Sequence, residues 1–124
     1  MLFLVGQKGE LLMFKNYTPH AINILDNDNN IIKTIPSEGN IRVSTKSETF
    51  YKIPLGDYVI PINKTNFGEL EYPGNYDIEN SNFIIVSRIV KNHPDKINDD
   101  RFIVPDGIVR DSQGNIIGCK SFSL

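Results

Sequence analysis

The sequence predicts an α+β domain built on a mainly antiparallel β-sheet, with one short helical segment towards the C-terminus. Three observations carry this. Short alternating or apolar runs recur along the chain, separated by Asn, Asp, Gly and Pro turn signals. No stretch has the long 3.6-residue apolar period of an amphipathic helix. At 124 residues, with 40% hydrophobic and 23% charged residues, the chain has enough material for one core and reads as one domain over 1–124.

The elements follow in order. Residues 1–12 open with five apolar residues and then Gly6-Gln7-Lys8-Gly9-Glu10, and read as an extension or an added edge strand. That apolar run is too short for a signal-peptide core or a membrane span. Ala21–Leu25 and Ile31–Ile35 flank Asp26-Asn27-Asp28-Asn29-Asn30 and predict a hairpin. Ile41–Ser44, Thr49–Ile53, Tyr58–Asn63 and Glu69–Tyr72 read as four short strands, with loop character across Asn63–Ile78. Phe83-Ile84-Ile85-Val86 has the pattern of a strand buried on both faces. Ser87 is placed to cap a short helix, Arg88–His93, which Pro94 stops. A polar loop, Asp95–Asp100, leads to Phe102-Ile103-Val104, which Pro105-Asp106-Gly107 should break. Ile108–Asp111 and Asn115–Phe122 form a last hairpin around Ser112-Gln113-Gly114.

Charge narrows the function. The net charge is -2, which argues against a broad DNA or RNA footprint but leaves room for a small anionic ligand. Nine of the basic residues are lysine and four are arginine, and three of the arginines (Arg88, Arg101, Arg110) fall between Phe83 and Cys119. Arginine's planar fork grips phosphate or carboxylate through two parallel hydrogen bonds, which lysine cannot do. On a helix over Arg88–His93, Arg88 and Asn92 share a face at i and i+4. Arg110-Asp111 sets a cation and an acceptor at a strand end, with Asp111 placed to hold the guanidinium. Phe83 either packs in the core or stacks on a nucleobase, worth roughly 1–3 kcal/mol per base.

Catalytic patterns are sparse. Phosphate-loop, His-Glu-x-x-His and Gly-x-Ser-x-Gly signatures do not occur. The single cysteine, Cys119, lies in an apolar strand and reads as an inert thiol of a reducing compartment. With only His20 and His93 beside it, it argues against a zinc site. No metal and no cofactor is expected.

Four pieces of the chain stand out in order and spacing: Asn16-Tyr17-Thr18-Pro19-His20-Ala21-Ile22-Asn23, Phe83-Ile84-Ile85-Val86-Ser87, Val104-Pro105 and Val109-Arg110-Asp111-Ser112-Gln113-Gly114-Asn115-Ile116-Ile117-Gly118-Cys119. Together they resemble the phage-encoded anti-Thoeris proteins of the first type. The likeness runs from about Asn16 to Phe122. It implies a β-sheet core followed by a helical segment, and a ligand pocket between two copies of a homodimer that assembles further to a hexamer. It also implies a function: binding the cyclic ADP-ribose isomers made by TIR-domain enzymes without cleaving them, in the host bacterial cytoplasm. Some members of that family hold cyclic oligonucleotides at a separate site. On this sequence the resemblance puts Phe83 and Asn92 around the adenine and Arg110 on the pyrophosphate or against the base. Arg88, Arg101 and Asp111 are added on chemical grounds. Two other functions compete with this sponge: a hydrolase of the same signal using His20 or Asp111, and a small phage structural or assembly protein.

Overall fold

The computed structural model describes residues 2–95 and 98–124. Nine strands and one helix occur among them: β1 Leu2–Val5, β2 Leu11–Asn16, β3 Ile22–Leu25, β4 Ile31–Ile35, β5 Arg42–Leu55, β6 Tyr58–Glu71, β7 Phe83–Ile85, α1 Arg88–Lys91, β8 Phe102–Arg110 and β9 Ile116–Ser123. A helix of four residues against nine strands makes the protein mainly β, and corrects the α+β expectation. The helix is also shorter than Arg88–His93. Ser87 stands at its N-cap without a capping side-chain bond, and Asn92 forms its C-cap.

Seven strands form one sheet in the order β1-β2-β7-β8-β9-β3-β4, and β5 with β6 forms a separate two-stranded ribbon. The sheet is mixed rather than antiparallel. β7 runs parallel to β2 on one side and to β8 on the other, and β3 runs parallel to β9. Parallel neighbours need a crossover connection, and both of β7's are supplied: the chain between β2 and β7, and the α1 segment between β7 and β8. The apolar run Phe83–Val86 fits this central place. Ile84 and Val86 face one core cluster, with Tyr17, Ile41, Val90 and Phe102. Ile85 faces the other, with Phe14, Ile35 and Ile103.

The two halves of the sheet are also joined at Asn16, which is fully buried at the end of β2. Its Nδ2 donates to the carbonyls of His20 (2.9 Å) and Ile35 (3.1 Å), the latter at the end of β4. Its Oδ1 accepts from the Thr18 amide (3.0 Å) and the Thr18 hydroxyl (2.6 Å). Beside it Tyr17 is equally buried, and its hydroxyl accepts from the Asp77 amide and donates to the Asp77 carbonyl, both at 2.9 Å.

Three further expectations change. The four short strands between Ile41 and Tyr72 are two 14-residue strands, β5 and β6, whose pairing absorbs two register shifts. The expected loop over Asn63–Ile78 is therefore strand as far as Glu71. β8 runs unbroken through Pro105-Asp106-Gly107, because Gly107 takes a φ of +56° that other residues adopt only under strain. The polar loop expected over 95–100 includes residues 96 and 97, which lie outside the described residues.

Candidate functional site

Two clefts stand out. The first, about 380 Å³, lies where the foot of the β5–β6 ribbon meets α1, and is lined by Val43, Phe67, Arg88, Ile89, Asn92, His93 and Pro94. The four-residue helix sets Arg88 and Asn92 one turn apart, so both reach the same opening. Arg88 is exposed and makes one long bond, Nη2 to Ser123 Oγ at 3.4 Å. Among the described residues its guanidinium has no ion-pair partner. Phe67 is 60% exposed, an apolar ring with one side uncovered.

His93 holds this cleft together. Its buried ring accepts from the Asp95 amide at Nδ1 (3.0 Å), so Nε2 carries the proton and donates to the Gly68 carbonyl at 2.6 Å. That bond ties the ribbon to the end of α1. His93 is thus a brace rather than a base.

The second cleft, about 360 Å³, opens where β3 and β9 diverge, and is lined by Thr18–Asn23, Ser87, Pro105, Ile108 and Ile116–Cys119. The two strands pair at Ile24 and Cys119 alone. Gly118 lets them approach there, since a Cβ would sit 2.6 Å from the Asn23 carbonyl. The lining is mainly apolar, with His20 its one ionisable imidazole. Burial pushes the Cys119 thiol above its ordinary pKa, which holds it as the unreactive thiol.

The six residues singled out in the sequence do not converge. Arg88 and Asn92 meet in the first cleft. Phe83 is half-buried on β7 and stacks on Phe14, with ring centroids 5.1 Å apart, as part of the core. Arg101 is occupied: its Nε and Nη2 grip Asp99 (2.7 Å at the closest), and Nη1 donates to the carbonyls of Ile78 and Ser81. The pair lowers the Asp99 pKa, chiefly through the Arg101 hydrogen bond. It acts as a clasp between loops.

Arg110 and Asp111 lie at the tip of the β8–β9 hairpin. Asp111 does not hold the guanidinium, which corrects that expectation. Arg110 Nη1 donates instead to the Gly114 carbonyl at 2.9 Å. Asp111 Oδ1 accepts from the amides of Gln113 and Asn115, both at 2.9 Å, and the Asn115 amide is the main cause of its lowered pKa. Asp26 does the same in the β3–β4 turn, accepting from Asp28 and Asn30. Asp111 is therefore the second instance of one turn design.

Sequence reasoning missed Phe67, because its segment read as loop, and the bracing role of His93. Among the described residues, no group of three or more His, Cys, Asp or Glu side chains is arranged to hold a metal ion, and no helix is long and apolar enough to cross a membrane. Comparison with protein-family models, curated proteins and solved structures finds no significant match.

Proposed function

We propose that the chain is a nucleotide-signal sponge. It binds a cyclic ADP-ribose isomer made by a TIR-domain enzyme in the cytoplasm of a phage-infected bacterium, and holds it uncleaved so that the Thoeris effector stays inactive. One observation carries the reading: Arg88, Asn92 and the uncovered ring of Phe67 line a single cleft. A guanidinium for phosphate, a carboxamide for an adenine edge or ribose hydroxyl, and a ring for stacking are the parts a small nucleotide requires. About 380 Å³ falls within the range of small-molecule sites, roughly 300–1,000 Å³. The masked reactivity of Cys119 and the turn role of Asp111 favour holding over cleaving. A sponge needs complementarity to the ground state, and an enzyme to the transition state.

The resemblance adds assembly as a dimer and a hexamer, with the pocket between copies. That is the arrangement in which Arg110 of a second copy would join Arg88 and Asn92 on one pyrophosphate, since the two regions are separate within one chain.

Titration calorimetry with cyclic ADP-ribose isomers tests the cleft. Arg88→Ala should weaken binding at least tenfold, about 1.4 kcal/mol, with Arg88→Lys in between. Phe67→Leu should lose the stacking contribution of roughly 1–3 kcal/mol. Both side chains are exposed, so melting temperatures should hold. Unchanged binding in Arg88→Ala and Asn92→Ala, with loss in Arg110→Ala, would move the pocket to the hairpin tip and overturn this placement.

A further inference from the structure

The β5–β6 ribbon leaves the body of the protein as an arm. Every residue from 45 to 69 is exposed, and the arm is anchored only at its foot, by Val43 and Leu70 against the core and by the His93–Gly68 bond. At about 3.3 Å per residue, the part beyond the foot reaches roughly 35 Å. An isolated two-stranded ribbon is only marginally stable in water, so an arm of this length calls for something to cover it.

The pairing register shows which face. β6 runs without irregularity from Tyr58 to Asn66, so Tyr58, Ile60, Ile62, Lys64 and Asn66 share one face. Cross-strand partners lie on the same face: Leu55 opposite Tyr58, Ile53 opposite Ile60, Tyr51 opposite Ile62. The outer three rows are therefore wholly apolar or tyrosine, with exposures from 39% to 75%. The next two rows, Glu48 opposite Lys64 and Lys46 opposite Asn66, are polar. The apolar patch ends at that boundary.

We infer that the occupant of this patch is the same patch on a second copy of the chain, packed face to face about a two-fold axis through the Ile53–Ile60 row. The inference rests on the self-association included in the reading above and names a contact between copies additional to the one that would complete the ligand pocket. Two features favour a second copy. The patch is self-complementary: a two-fold axis lays three apolar rows on three apolar rows and leaves the Glu48–Lys64 rows at the rim, within reach of the Tyr58 hydroxyls. Its area also suffices. Six such side chains at these exposures offer on the order of 600 Å² per copy, approaching the ~800 Å² per partner of stable interfaces and at the upper end of what monomers leave bare.

Light scattering after size exclusion, across a hundredfold range of concentration, reads the outcome. The parent protein should be at least dimeric. Ile53→Lys with Ile60→Lys should raise the dissociation constant at least 100-fold, whereas Val59→Lys, on the opposite face beside Pro54, should leave it unchanged. A second measurement does not depend on the double variant folding. Ile60→Cys, close to the axis, should form an interchain disulfide under mild oxidation, and Val59→Cys should not, the native Cys119 being buried. A parent that is monomeric at all concentrations overturns the inference. So does a dimer indifferent to Ile53→Lys/Ile60→Lys and uncrosslinked through Ile60→Cys, or a monomer whose arm binds phosphatidylglycerol vesicles. The Arg88→Ala calorimetry reads the ligand cleft separately, so the failure of one reading is distinguishable from the failure of the other.

Discussion

Replacing Asn16 by Ala removes a buried carboxamide that uses its two donor hydrogens and its acceptor oxygen in four hydrogen bonds. In the variant the Thr18 hydroxyl turns to the His20 carbonyl, 3.0 Å away. The Thr18 amide loses its partner and the Ile35 carbonyl loses its bond from the carboxamide. Losing such buried bonds costs about 1–3 kcal/mol each, and the small cavity adds to this, giving a loss of about 3–5 kcal/mol. With unfolding entropy near 2.1 cal/mol/K per residue, a chain of 124 residues loses about 4 °C for each kcal/mol. The melting temperature should therefore fall by about 12–20 °C in differential scanning calorimetry. Asn16→Asp should be at least as damaging at neutral pH, since a carboxylate cannot donate to the two carbonyls. A fall below about 4 °C in Asn16→Ala would refute the reasoning, because the bonds that join β2 to the end of β4 would then contribute little.

Phe83→Ala should cost about 2–3 kcal/mol of stability, as expected for a half-buried ring stacked on Phe14, and leave calorimetric ligand binding within twofold. Loss of binding at an unchanged melting temperature would return Phe83 to the pocket. Arg101→Lys should lower the melting temperature, since an ammonium cannot grip Asp99 and reach the carbonyls of Ile78 and Ser81 together, yet spare ligand affinity in the folded fraction. The carboxylates set the acid limit of stability. Asp26, Asp99 and Asp111 all titrate below their ordinary value of 3.8 in the folded protein, so their contribution is present above that value and is lost as pH falls through the folded values. The melting temperature should fall below about pH 4, less steeply in Asp26→Asn and Asp111→Asn, which keep the turn geometry.

The hairpins were legible from local chemistry, because Asp26–Asn30 and Asp111–Asn115 dictate their turns within five residues. Burial of Ile84–Val86 was legible from the unbroken apolar run Phe83–Val86, although Phe83 itself is only half-buried. Strand direction was not: pairing β7 parallel to β2 depends on contacts between residues 14–16 and 83–85, which no local pattern records. The β5–β6 arm was misread because Pro54 and Gly56 look like separators of short strands, whereas they lie at the end of β5 and in the turn of one long exposed ribbon. The same difficulty hid Phe67. Arginine clustering in sequence did not become clustering in space, since Arg101 and Arg110 each have local partners that hold them. The Asn16–His20 segment looked like a family signature, and the buried, hydrogen-bonded polar groups of Asn16, Tyr17 and Thr18 give it a structural reason to be there.

The claim at the centre of this account is retention without turnover. The direct test is to mix the protein with cyclic ADP-ribose isomers, remove free ligand by gel filtration, denature the complex by heat and analyse what is released by liquid chromatography and mass spectrometry. The account predicts the cyclic nucleotide, chemically intact, in an amount no greater than one per binding site. Release of no nucleotide, or of linear ADP-ribose or AMP in excess over protein, would contradict it.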